Sequence, residues 1–557
     1  MTEAVSIPSP GLRRTGGAVT LARVLWWVAL LSIVLGVFRI AATYDVLSIT
    51  FDEPAHIAAG MQLLDKDQFT YEPLHPPLAR VAEALGPFLA GYHSQNGGDM
   101  WIEGRRLFYG LGGHPDAELL ALARLGVLPF FCASLVMVWL WTSRHVGRVE
   151  AALAVILLAN LPVFLAHSGL ATTDAPFAAT FTAAFFSFLL WLERPSPLRG
   201  LLLGITVALA VCTKLSALLF LPAAGVAVIA YRSLCDGRNW RPIELFWPWH
   251  RAVVPLAAAF IAVWSIYGWH ADPLYGIKSL AEGVRELAVF AESGEPSFFL
   301  GEVNAHGSWA FFPILLLVKS PLPFLIAITI GAVVLVRRNR RDWQRMAPLL
   351  GAVAIVASAM PSTINIGLRH ILPAFPLLAV VAGIGLARLL KAPMAPQRLA
   401  VAGLLLFWQI GETAAAAPDY LPYFNQFALG QPQRIVVGSD LDWGQDVRRL
   451  MIELKQRRVQ RVHLAVHTSA DLRKHEFPPF ETMYPGEPTT GWIAISEQMR
   501  AFYCAGYKWL DPYAPVARIG ASISLYYVPG PEAEPGVPDL LRQFNWNAPQ
   551  PCSRRTG

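Results

Sequence analysis

Long apolar runs separated by short, Arg-rich polar breaks dominate the chain from residue 19 to 416. They fall at 19–40, 120–142, 151–167, 177–193, 200–212, 216–231, 252–269, 311–336, 347–360, 370–390 and 398–416. The hydrocarbon core of a bilayer takes about 20 apolar helical residues, so these runs predict about eleven transmembrane helices. Lys319 inside the 311–336 run predicts a break there, into an interfacial helix and a true crossing. Beyond residue 417 the long apolar runs vanish and charge rises. Shorter stretches at 434–437, 461–466, 491–495 and 521–528 read as strands and 445–458 as a helix, with an irregular tail after Pro529. The predicted fold is a polytopic α-helical membrane protein (19–416) with a cytoplasmic N-terminus (1–18) and a small C-terminal α/β extracytoplasmic domain (417–557).

Composition sharpens this picture. Of 557 residues 54% are hydrophobic and only 15% charged, with 43 Gly and 43 Pro scattered among the apolar runs, which excludes a soluble enzyme, a disordered chain and a disulfide scaffold. The run at 19–40 is too long for a signal-peptide core and lacks a small-residue cleavage site, so it is expected to stay as a helix. The net charge of +6 comes from Arg at segment ends, a membrane-topology pattern and not a nucleic-acid footprint. Arg13, Arg14, Arg144, Arg148, Arg194, Arg199, Arg232, Arg337, Arg345, Arg388 and Arg398 fall on one side, which the positive-inside rule makes cytoplasmic. The loops at about 45–118 and 270–310 and the C-terminal domain then lie outside, where Cys504 and Cys552 are the only cysteines able to form a disulfide.

Candidate chemistry lies where ionisable residues gather at that outer face, because charge next to lipid is costly. Asp52 and Glu53 in Phe51-Asp52-Glu53-Pro54 follow the first helix; a base with its supporting acid and a plain acidic helix start are both open to them. His75 sits in the rigid stretch Glu72-Pro73-Leu74-His75-Pro76-Pro77, and Asp174 in the turn Thr172-Thr173-Asp174-Ala175-Pro176. Lys214 between two apolar helices and Arg369-His370 are cations on the side where the positive-inside rule does not place them. A lipid-linked phosphate at headgroup level would compensate them, as would pairing with Asp52, Glu53 or Asp174. Trp309, Phe311 and Phe312 read as an interfacial aromatic belt. In the C-terminal domain, Asp440, Asp442 and Asp446 precede a helix, and capping by Asp440 or Asp442 is the simpler account against a role in acceptor recognition. The outer carboxylates are candidate ligands for a divalent cation, without a diagnostic spacing.

In order and common side, Asp52-Glu53, the Pro-Pro-Leu element, Thr173-Asp174-Ala175-Pro176, Thr213-Lys214, Lys319-Ser320-Pro321 and Arg369-His370-Ile371-Leu372-Pro373 resemble the lipid-carrier-dependent GT-C glycosyltransferases. The closest branches are the protein O-mannosyltransferases and the aminoarabinose transferases, over about residues 20–416. His75 stands where the latter carry Lys. The segment Ser439-Asp440-Leu441-Asp442-Trp443-Gly444-Gln445-Asp446 resembles a stretch that follows the last helix in bacterial family-39-like members. The resemblance implies transfer of a sugar, with inversion, from a polyprenyl-phosphate donor to an extracytoplasmic acceptor at a bacterial inner membrane. Asp52 would be the base, Glu53 its support, and Asp174 the second acidic position, holding the acceptor or a metal. His75, Lys214, Lys319, Arg369 and His370 are the cations assigned to the donor phosphate. The rival class is a transporter or flippase of a lipid-linked or anionic substrate, which would require related halves with helices broken at mid-membrane.

Overall fold

The computed structural model describes residues 14–110, 117–236, 250–391 and 396–530. Every apolar run is helical: Arg14–Ala41, Ala117–Leu125 with Leu128–His145, Arg148–Ala159 with Pro162–Ser168, Asp174–Glu193, Pro197–Val211, Ala217–Asp236, His250–Ile266, Phe311–Lys319 with Leu322–Arg338, Trp343–Ala359, Ala374–Lys391 and Pro396–Ala415. Among the described residues, four helices are long and apolar enough to cross a membrane, and two bent pairs raise this to six. The expected runs are thus helical, but four to six of them, not eleven, meet the length and composition of a crossing among the described residues. Pro197–Val211, Arg251–Ile266 and Ala374–Leu390 are apolar but shorter, and about 17 residues at 1.5 Å each reach about 25 Å of a core roughly 30 Å thick.

The predicted break after Lys319 is a bend of 114°. Ser320 is extended and Pro321 lacks the N–H that would continue the helix, so the chain turns there. Helices Arg148–Ala159, Asp174–Glu193 and Ala374–Lys391 are apolar all round and buried over most of their length, which makes them the centre of the bundle. Around them, outer helices turn Trp27, Phe38, Val226, Leu256 and Phe407 outward, as a lipid-facing surface requires. Small residues bring helices close: a Cβ on Gly331 would lie 1.9 Å from Val381 O.

Polar groups separate to the two ends. At one end Glu193 gathers Arg144 (2.8 Å), Arg199 (3.5 Å) and His145 (3.3 Å), while Arg345 Nε donates to His145 O. At the other end lie the loop helices Glu53–Lys66, Pro77–Leu89 and Met100–Tyr109, the amphipathic helix Tyr275–Ser293, and the hairpin β1 (Ser297–Phe299) and β2 (Glu302–Asn304).

The C-terminal segment carries a mixed five-stranded sheet of order β4-β3-β5-β7-β6, with β3 (Val462–Ala465), β4 (Phe480–Thr482), β5 (Gly491–Ser496), β6 (Ala517–Ile519) and β7 (Ile523–Val528). β4, β3 and β5 run parallel, whereas β7 is antiparallel to both β5 and β6. Period-2 alternation sends Ala494, Ile523 and Leu525 to one face, under Leu450 and Leu454 of helix Val447–Gln456. Ile493, Ile495, Tyr526 and Val528 go to the other, with Tyr507 and Leu510. The expected strand at 434–437 is instead a 3₁₀ turn, Pro432–Arg434, followed by an isolated bridge from Val436 to Phe299. The pair Ile435-Val436 lies against the end of β1, where Leu300 N donates to Ile435 O at 2.8 Å, without extending into a ladder. Cys504 is disulfide-bonded; Cys552 and the tail after 530 lie outside the described residues.

Candidate active site

Four segments far apart in sequence deliver an alternating row of acids and cations. Asp52 stands at the start of helix Glu53–Lys66 without capping it, and its Oδ2 accepts from Arg369 Nη1 at 2.8 Å. Arg369 lies in the 3₁₀ turn Leu368–Ile371, and the same Nη1 is 3.7 Å from Asp174 Oδ2. Asp174 opens helix Asp174–Glu193, and its Oδ1 accepts from Lys214 Nζ at 2.5 Å. Lys214 sits in the tight turn between Pro197–Val211 and Ala217–Asp236. The row Asp52–Arg369–Asp174–Lys214 is buried except at Asp52, whose side chain is 25% exposed and so marks the open end.

Within and beside this row lie buried polar atoms that the protein leaves without hydrogen-bond partners: Asp174 Oδ2, Arg369 Nε, His370 Nε2 and His167 Nδ1. Unpaired buried polar groups are costly, and their convergence on one ion-pair row is a feature of sites that bind polar ligands. Neither acid fits a resident divalent ion. Each faces a protein cation, and among the described residues no group of three His, Cys, Asp or Glu converges as metal ligands.

The other predicted residues have different employment. Glu53 points the opposite way from Asp52, into a closed knot. Its Oε1 accepts from Arg124 Nε (2.8 Å) and Ala171 N (2.8 Å), its Oε2 from Arg124 Nη2 (2.9 Å) and Thr50 N (2.7 Å). Arg124 completes its fork on Leu47 O and Ser48 O. Glu53 thus ties the 171–174 turn to the 48–53 loop, and both its oxygens are engaged away from Asp52.

His75 leans on Glu72 (Nδ1–Oε2 3.1 Å) and on the ring of His56 at 5.1 Å. Arg80, fully buried, donates to His56 Nδ1 (3.1 Å) and pairs with Glu72. Burial would push Glu72 up, yet His75 and Arg80 hold it down to about 2. His75 is therefore engaged beside the row and outside it. Lys319 is also committed elsewhere: its ammonium donates to Leu421 O (2.6 Å) and Asp440 O (2.7 Å) and lies 4.3 Å over the Phe424 ring.

Asp440 and Asp442 do not cap the following helix. Asp440 Oδ2 accepts from Leu368 N at 3.0 Å and Asp442 Oδ2 from Gln498 N at 2.8 Å, while Asp446 occupies the cap position without a capping bond. Burial raises Asp442 to about 7. Arg80, Arg124, His167 and Trp443 were missed in the sequence. The only signal for Arg124 was a lone charge at the start of an apolar helix, and that position is also where a snorkelling residue would stand.

Residues 108–267 match the family model described as dolichyl-phosphate-mannose-protein mannosyltransferase. A comparison with curated protein sequences gives no match. The structure is similar to ArnT from Cupriavidus metallidurans in the apo state, at TM-score 0.51 and 13% identity, over 89% of this chain and 97% of that one. It also matches ArnT from the same organism bound to undecaprenyl phosphate, at TM-score 0.47 and 14% identity over 92% and 98% of the two chains. The apo oligosaccharyltransferase of Archaeoglobus fulgidus matches at TM-score 0.43 and 15% identity, over 71% of this chain and 56% of that one. The chain therefore has the GT-C-like helical membrane fold of ArnT, and its residues 108–267 are similar to the dolichyl-phosphate-mannose-protein mannosyltransferase model.

Proposed function

We propose that the protein is a membrane glycosyltransferase that moves a sugar from a polyprenyl-phosphate donor to an acceptor hydroxyl, with inversion. The observation that carries this reading is the Asp52–Arg369–Asp174–Lys214 row, closed at Lys214 and open at Asp52. Support for the donor class comes from ArnT, a protein of the same fold whose solved forms include one bound to undecaprenyl phosphate. In the reaction the acceptor oxygen bonds to the anomeric carbon, the bond from that carbon to the phosphate oxygen breaks with its electron pair, and the acceptor proton passes to Asp52. Arg369, Lys214 and the unpartnered His370 Nε2 face the charge that develops on the leaving phosphate. A phosphate arriving beside Arg369 competes with Asp52 for the guanidinium, so donor binding itself frees the base. Asp174 holds Lys214 and Arg369 in place for that exchange.

The site end is assigned to the outer side of a bacterial inner membrane, with the Arg-rich end around Glu193 in the cytoplasm. The experiment is discharge of radiolabelled polyprenyl-phosphate sugars by the protein in nanodiscs, comparing wild type with Asp52→Asn. Transfer by wild type, with a variant that binds donor without discharging it, is the expected result, and the labelled product names the acceptor. Labelled lipid crossing the bilayer undischarged would replace this reading by a transporter.

A further inference from the structure

The segment 439–446 is the feature the reaction scheme leaves unused, and it is where the α/β unit reaches the acid–cation row. It touches both loops that meet at the Asp52–Arg369 pair. On the acid side, Phe51 N donates to Trp443 O at 2.9 Å and Ser48 N to Gln445 O at 2.9 Å. On the cation side, Ser439 Oγ donates to Ile366 O at 2.6 Å and Asp440 Oδ2 accepts from Leu368 N at 3.0 Å. Gly367, at φ 147°, permits this approach, since a Cβ there would lie 2.1 Å from Ser439 Oγ. Between the two attachments the Trp443 indole lies under Arg369, with the guanidinium carbon 4.3 Å from the ring centroid, and edge-on to His167 at 6.3 Å. The other end of the segment is held by the sheet unit: Gln498 N donates to Asp442 Oδ2 at 2.8 Å and Ser522 Oγ to Asp446 Oδ2 at 2.8 Å.

We infer that residues 439–446 form a strap that sets the Asp52–Arg369 register, with Trp443 as a positioning residue that fixes the Arg369 guanidinium through its ring face. Asp52 and Arg369 come from loops 317 residues apart in sequence, and within the membrane bundle their direct hydrogen bond is an exchangeable link. The strap supplies a second link that does not move when a phosphate takes Arg369 from Asp52. Its carboxylates divide the work: Asp440 faces the membrane bundle, Asp442 and Asp446 face the sheet. Cation–π contacts are stronger where water is excluded, and both partners here are buried. The catalytic consequence rests on the proposed transferase reading, but the strap itself does not.

The test uses the full chain in nanodiscs with Trp443→Ala, Trp443→Phe and Gly367→Ala. Hydrogen exchange in wild type should protect the amides of 48–53 and 366–370. Trp443→Ala and Gly367→Ala should speed exchange in both loops by about tenfold or more, with β5 and β7 unchanged as the control for global unfolding, and Trp443→Phe should stay within a few-fold of wild type. In the transfer assay, Trp443→Ala should lower kcat by about tenfold, a loss on the scale of one cation–π contact, with donor KM nearly unchanged, and Phe should restore most of it. Wild-type exchange in both loops for Trp443→Ala and Gly367→Ala would overturn the strap, whether or not the protein transfers sugar. Loosened loops in a protein whose wild type discharges no donor would keep the strap and remove the transferase reading.

Discussion

Asp52 and Glu53 are neighbours in sequence and opposites in the structure. Glu53 enters a closed knot in which Arg124, Ala171 N and Thr50 N engage both its oxygens and no solvent reaches either partner. Asp52 enters an open row that ends in its own half-buried carboxylate and contains the unpartnered atoms Asp174 Oδ2 and Arg369 Nε. Both regions pair carboxylate with guanidinium, so pairing alone does not separate structural from chemical roles. The separation lies in the pair itself: both oxygens of Glu53 and the whole fork of Arg124 are engaged, whereas Asp174 Oδ2 and Arg369 Nε in the row lack hydrogen-bond partners and retain capacity for a ligand.

Breaking the knot should have the largest effect. Arg124→Leu leaves Glu53 buried without its cation and should destabilise the protein by about 3–5 kcal/mol, read as a lowered denaturation midpoint in detergent. The matching lesion in the row should not unfold the protein. Asp52→Asn should keep the wild-type midpoint and lower transfer by about 10²–10⁴-fold. An equal stability loss in the two variants would erase the distinction between knot and row.

A milder break is Lys214→Met, which removes a cation that the proposed reaction turns toward the leaving phosphate and leaves Asp174 with Arg369 alone. It should cost about 10²-fold in transfer and weaken binding of undecaprenyl phosphate, measured by displacement of labelled donor. The smallest effect on transfer concerns a third cluster, Glu72–Arg80–His75. Glu72 is held down to about 2 in the folded protein, below its unfolded value of about 4.5. It therefore contributes stability that is fully present above about pH 4.5 and is lost as pH falls toward 2, about 3 kcal/mol in all. Glu72→Gln should flatten the acid limb of the stability curve over that window while leaving transfer at pH 7 within a few-fold of wild type.

The helices were legible because a bilayer admits only backbone that satisfies its own hydrogen bonds, so apolar length and helix coincide. The break at Lys319 was legible for a related reason: a charge followed by Ser320-Pro321 interrupts both the apolar run and the ladder. Strands β4 and β6 were not, being three residues each and short of any alternation. Asp440 and Asp442 looked like helix caps because an acid before an apolar periodic segment has that pattern; their true partners, Leu368 N and Gln498 N, lie 72 and 56 residues away. Lys319 looked like a phosphate ligand for the same reason, since a buried cation advertises its need of a partner and not which one it has.

Local composition alone determined that the chain is a helical membrane protein, that its C-terminal segment is of a different kind, and that Asp52, Asp174, Lys214 and Arg369 are charges in places where charge is costly. Only the tertiary structure decided that these four form one row, that Glu53 turns away into the knot with Arg124, and that Trp443 lies beneath Arg369. Burial cost is a property of each residue and its immediate neighbours, so it is written along the chain; which partner relieves it depends on how distant segments pack, and that is settled when the bundle and the sheet unit close on each other.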